Sequence, residues 1–195
     1  PDEHWGRGFY QPKWTSTHYT LLDLKTICID PATRPAREAV HIVLSDHKGA
    51  DGGINPSKTI AESDVCINGM VMNYACYFGA DEQLLRSVVD FVLSQRMADG
   101  GFNCRSNRGG ARHSSLHTTV SVLEGIHEYK INGYKYKLRD LLSAKAGSEE
   151  FILMHRLFRS DRTGEVISPA FLRFHFPPRW HYDVLRAMDY FRNAG

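Results

Sequence analysis

Histidine recurs where helices would begin. Trp14-Thr15-Ser16-Thr17-His18-Tyr19 opens one apolar stretch, and Glu62-Ser63-Asp64-Val65-Cys66 opens a second. Arg112-His113-Ser114-Ser115-Leu116-His117 opens a third, and Arg179-Trp180-His181-Tyr182-Asp183 a fourth. Ser, Thr and Asp are the usual helix N-caps, so part of this pattern is capping. Histidine at three of the four starts is not required by capping. His18, His181 and Asp183 are the expected catalytic groups, titratable side chains at the first and fourth of these starts. Asp64 and Cys66, with His113 or His117, offer carboxylate, thiolate and imidazole. These are donors that zinc accepts, with a fourth position left open for catalysis. The same residues also fit capping and core packing, with Asp64 an N-cap and Cys66 a small buried hydrophobe.

Two further groups would bind rather than react. The loop "NCRSNRGGARH" places Arg105, Arg108 and Arg112 around Gly109-Gly110, and guanidinium groups near a helix start suit an anion such as a diphosphate. A solvated loop with acid partners is the plainer alternative. Trp14, Tyr19 and Trp180, with Tyr74, Tyr77 and Tyr182, could line an aromatic cavity suited to an isoprenoid chain or a carbocation, or could be ordinary core.

These side chains need elements to hold them, and a repeat supplies those elements. Asp51 and Asp99 stand 48 positions apart. Ala50-Asp51-Gly52-Gly53-Ile54-Asn55 pairs with Ala98-Asp99-Gly100-Gly101-Phe102-Asn103, and Val43-Leu44-Ser45 with Val92-Leu93-Ser94. Pro1 to Gly6 is a worn copy, and Phe151 to His155 followed by Asp161 to Gly164 is a looser fourth. Between the turns, "YTLLDLKTI" and "VCINGMVMNYACYF" are apolar almost all round, as helices buried on most sides are. "PAREAVHIVLSD" and "EQLLRSVVDFVLSQR" carry one apolar stripe at helical spacing. Each repeat therefore reads as a buried helix, a turn, an amphipathic helix and a Gly-Gly loop. The first glycine is expected to cap the amphipathic helix, and the Ile or Phe that follows to plug the groove between helices. The expectation is an all-α fold of stacked helix pairs over residues 1–195.

The D-G-G-[FI] turn between a polar helix end and a buried helix resembles the repeat of the squalene and oxidosqualene cyclases, shared by the β subunits of protein prenyltransferases. That resemblance implies an α/α toroid, or an arc of one, with inner helices around a cavity. The repeat is cut at both ends, which reads as part of a longer toroid. It also implies a terpene cyclase- or prenyltransferase-like enzyme with a hydrophobic, isoprenoid-type ligand. Carried over by position, Asp64 and Cys66 match the family's Asp-x-Cys zinc pair, and His113 or His117 its histidine. The acidic D-x-D-D motif of the hopene-type cyclases is missing, as is the Q-x-x-x-G-x-W form, since Phe102 stands where Trp would be. A non-catalytic toroid scaffold, and a hydrolase or lyase acting on a polar substrate at the same mouth, are the alternatives.

Composition bounds these readings. A net charge of +2 across 195 residues gives no argument for nucleic acid. No apolar run approaches the roughly 18 residues of a membrane-spanning helix. The four cysteines form no CxxC pair, and free thiols in the cytoplasm are the expectation.

Overall fold

The computed structural model describes residues 5–57 and 59–195, with the backbone alone for Ser106 and Arg108. The described residues form α1 (Thr17–Thr26), α2 (Arg34–Asp46), α3 (Val65–Tyr77), α4 (Glu82–Ser94), a single turn α5 (Ser106–Gly109), α6 (Leu116–Ile131), α7 (Leu138–Met154) and α8 (Val184–Ala194). Isolated bridges at Lys48–Ile54 and Arg159–Val166 are the only β pairing among the described residues, so the fold is all-α. None of the described helices is long and apolar enough to cross a membrane.

Hydropathy sorts the helices into two kinds. In α2 the buried positions are Ala36, Ala39, Val40, Val43 and Leu44, and in α4 Leu85, Val88, Val89, Phe91 and Val92, one stripe each. In α3 nearly every residue from Val65 to Cys76 is buried. Packing follows this partition: α1 meets α3, α3 meets α6 and α6 meets α8, while α2 meets α4 and α4 meets α7. The inner pair α3 and α6 cross at glycines. A Cβ on Gly125 would fall 2.5 Å from the Gly69 carbonyl oxygen, and one on Gly69 would fall 2.7 Å from the Ser121 carbonyl. Helix α6 thereby serves two apolar clusters, giving Val122, Ile126 and Tyr129 to one and Leu116, Val120 and Leu123 to the other.

The Gly-Gly turns make the same bonds twice. Asp51 accepts from the Ser63 amide and hydroxyl, both at 2.7 Å. Asp99 accepts from those of Ser114, at 2.8 and 2.5 Å. Ile54 and Phe102 are fully buried, each worth about 1.5–3 kcal/mol of apolar burial. Their backbones are tied to the next inner helix through Asn68 and Thr119. Trp5 is tied to Thr17 in the same way, which extends the pattern to the worn first copy. One expectation needs correction. Gly52 and Gly100 are left-handed, at φ 84° and 92°, but they are not helix caps. Helices α2 and α4 end at Asp46 and Ser94, and the glycines close a separate turn beyond them. The caps lie at the other junction. Cys28, Gly79 and Gly133 are left-handed just past α1, α3 and α6. There the amides of Ile29, Ala80 and Tyr134 bond back to Leu24, Ala75 and Tyr129.

Candidate functional site

The segments that begin the inner helices meet in an aromatic and basic face. Lys13 and Trp14 lie in a 3₁₀ turn ahead of α1, and Arg179, Trp180 and His181 precede α8. The Lys13 ammonium is 4.8 Å from the centre of the Trp14 ring and 5.4 Å from that of Trp180. The Arg179 guanidinium stands 5.0 Å from Trp14 and 5.7 Å from Tyr19, and is fixed by an ion pair with Asp23 of α1 at 2.8 Å. Trp180 stacks on His181 at 3.9 Å, and His181 on His175 at 4.7 Å with ring planes 5° apart. His117, at the start of α6, lies 5.3 Å from Trp180. Cations over aromatic faces attract by about 0.5–2 kcal/mol each.

Of the expected residues, Trp14, Tyr19, Trp180, His181 and His117 come together here. His117 accepts the Tyr182 amide on Nδ1 at 2.8 Å, which leaves the proton on Nε2. Burial, with Arg186 and His181 nearby, pushes its pKa down to about 4. His181 is lowered too, by burial and then by His175 and Lys13. Both rings are neutral at neutral pH.

The other two expected catalytic groups serve the frame. His18 is fully buried behind this face, packed edge-on to Phe9, Tyr19 and Tyr74, with Nδ1 3.3 Å from the Tyr74 hydroxyl. Burial and the charge of Lys13 push its pKa down to about 3. Its Nε2 is buried without a hydrogen-bond partner. Asp183 caps α8: Oδ1 accepts the Arg186 amide at 2.8 Å, while Oδ2 accepts the His175 amide at 2.9 Å and lies 3.1 Å from His175 Nδ1. Only 1% exposed, it positions His175 under His181.

The expected metal ligands do not assemble. Among the described residues no group of three His, Cys, Asp or Glu side chains could hold an ion. Asp64 occupies the N-cap position of α3 without a side-chain cap bond, and its carbonyl accepts from Asn68. His113 is exposed, with Nε2 3.3 Å from Arg162. Cys66 pairs instead with Cys104. The Cys104 sulfur accepts from the Cys66 amide at 3.0 Å and the Thr118 hydroxyl at 3.5 Å. The neighbouring Cys66 side chain, with the Thr118 hydroxyl and the Cys66 amide, pushes Cys104 down, whereas the nearness of Cys104 and burial push Cys66 up. In the loop expected to hold an anion, Arg105 and Arg112 are exposed and make no ion pair among the described residues. The Arg108 side chain lies outside the described residues.

The sequence reading assigned no site role to Lys13, Arg179, His175 or Cys104. The signal for the first two was present as cation–tryptophan neighbours, Lys13-Trp14 and Arg179-Trp180, one at each end of the chain. Cys104 carried no such signal, because its partner is 38 residues away.

Polar ties cross between the inner helices. Arg186 of α8, 5% exposed, grips Glu124 of α6 through two nitrogens at 2.8 and 2.7 Å and also reaches Ser121. Lys25 of α1 pairs with Glu128 of α6 at 2.8 Å. Two surface depressions, of about 300 and 410 Å³, lie along α2 around Arg37 and His41, lined by none of the residues of the aromatic and basic face. No protein-family model matches the chain, and no curated protein matches it.

Proposed function

We propose that the chain is an arc of an α/α toroid that binds an anionic ligand with an apolar or planar body at the inner-helix mouth, an isoprenoid diphosphate being the class to test first. One observation carries this reading: Lys13-Trp14 and Arg179-Trp180, from opposite ends of the chain, interleave two cations and two indoles on one face. The ammonium and guanidinium would take the phosphates, and the rings the apolar body. Trp14 is 43% exposed and reports its own surroundings, so fluorescence titration is direct. Farnesyl diphosphate should quench saturably, and farnesol at least about tenfold more weakly, because a charged hydrogen bond contributes roughly 1.5–3 kcal/mol. Lys13→Ala should weaken the diphosphate ligand and leave farnesol unchanged. Equal affinity for both ligands, or quenching that survives Trp14→Ala and Lys13→Ala together, would remove the reading.

A second reading, a non-catalytic binding scaffold, is favoured by the polar ties between inner helices and by the structural commitments of His18 and Asp183. Diphosphate release from farnesyl diphosphate during incubation with the protein separates the two. Release that exceeds a heat-inactivated control supports transferase or cyclase chemistry, and binding without release supports the scaffold.

A further inference from the structure

We infer that Cys66 and Cys104 form a peroxide-responsive dithiol that closes to a disulfide, fastening the chain after the Asp99 turn to the N-terminus of α3. The inference is independent of the ligand proposed for the mouth. The sulfur of one segment already rests against the backbone of the other. The Cys104 sulfur lies 3.0 Å from the Cys66 amide nitrogen, an atom only three bonds from the Cys66 sulfur, so side-chain rotation covers the remaining distance to a bond of about 2.05 Å. Both backbones are held. Phe102 is tied to Thr119 at 3.1 Å and Cys104 to Thr118 at 3.3 Å on one side, while Asn68 fastens the first turn of α3 to Ile54 on the other. Both cysteines are partly exposed, whereas Cys76 is buried in the core.

The repeat does not call for either residue. The place of Cys104 is taken in the Asp51 copy by Pro56, and the place of Cys66 in α6 by His117. Helix capping and groove plugging are complete without a thiol at these positions.

The polarity of the contact assigns the roles. An amide and a hydroxyl both donate to the Cys104 sulfur, which favours its thiolate, so it attacks first. Its sulfur attacks one oxygen of a hydroperoxide; the S–O bond forms, the O–O bond breaks, and the released hydroxide takes a proton to become water. Cys66 then gives up its proton and attacks the sulfenic sulfur of Cys104. The S–S bond forms, the S–O bond breaks, and a second water leaves. Two thiols have then passed two electrons and two protons to hydrogen peroxide.

The first test uses the wild-type protein. The fully reduced protein is treated with one equivalent of hydrogen peroxide, alkylated with N-ethylmaleimide, and mapped by peptide mass spectrometry with fragment spectra that separate Cys66 from Cys76. The expected product is one intramolecular crosslink between Cys66 and Cys104, reversed by dithiothreitol, with Cys28 still fully alkylated. Oxidation of exposed Cys28 ahead of the pair, or recovery of Cys66 and Cys104 as free thiols while peroxide is consumed, would overturn the inference. In Cys66→Ser, dimedone should label Cys104 several-fold more than in the wild type, because the resolving thiol is gone. Labelling that is unchanged would show that Cys66 does not resolve Cys104.

Discussion

The two ends of the inner helices are built on opposite principles. At their C-termini α1, α3 and α6 finish with one and the same cap: a left-handed residue at Cys28, Gly79 or Gly133, and an amide bonding back across five residues. At their N-termini the backbone frame is still common, since Thr17, Asn68 and Thr119 each tie down the residue after a turn. Two residues before each of these, however, stand Thr15, Cys66 and His117, with no chemistry in common. Repetition fixes the frame, and diversity gathers where the frame leaves a side chain free. That places the candidate ligand face and the dithiol at the same end of the molecule.

Breaking the shared frame should have the largest effect. Gly125→Val puts a Cβ 2.5 Å from the Gly69 carbonyl oxygen, a backbone atom that cannot rotate away. The helices must separate, opening the contact that joins both apolar clusters, and a loss of more than about 4 kcal/mol is expected for so disruptive a core change. Urea unfolding measures it. Trp14→Ala, at the variable end, should move the same midpoint by less than about 1 kcal/mol. A Gly125→Val protein as stable as the wild type would mean that the crossing is not the keystone the geometry makes it.

This division also explains what the sequence could convey. Buried and amphipathic helices are legible because their periodicities differ, and Ile54 and Phe102 are legible as plugs because each follows a doubled glycine. The caps are not legible at their true junction: the glycine pairs draw the eye, while Cys28 fills a left-handed site with a residue that rarely takes one. His18, His117 and Asp183 look equally reactive in the sequence. Only burial distinguishes a core imidazole, a surface-facing one and a helix cap, and burial depends on contacts far along the chain. The pairing of Cys66 with Cys104 is likewise a tertiary fact.

Acid should break the variable end from within. His18 titrates near 6.5 when unfolded but only at about 3 in its aromatic surroundings. Below pH 6.5 the unfolded chain takes up a proton that the native ring refuses, so stability falls with pH and continues to fall until the native ring also protonates. Between pH 6.5 and 5 this amounts to about 2 kcal/mol from His18, with a smaller loss from His117, which is less buried. Unfolding free energies measured across that range should decline, and His18→Phe should flatten the slope by close to one proton. An unchanged slope in that variant would assign the acid sensitivity elsewhere.

The smallest effect sharpens the uniformly capped end. Gly79 and Gly133 take the left-handed cap at no steric cost, but Cys28 holds φ 57° with a Cβ and is exposed. Cys28→Gly removes that strain, worth about 1 kcal/mol, and returns roughly half through the freer unfolded chain. The expected gain is about 0.5 kcal/mol, or roughly 1–2 °C in melting temperature for a chain of this length. Gly79→Ala should move the other way by about 1 kcal/mol, because a Cβ there meets only Arg37 at 3.8 Å and the penalty is purely conformational. Opposite signs at two positions sharing one hydrogen-bond pattern would show that the cap, rather than any side-chain contact, sets the energy of this end. A loss in Cys28→Gly would instead mean that the Cys28 side chain contributes more than its backbone strain costs.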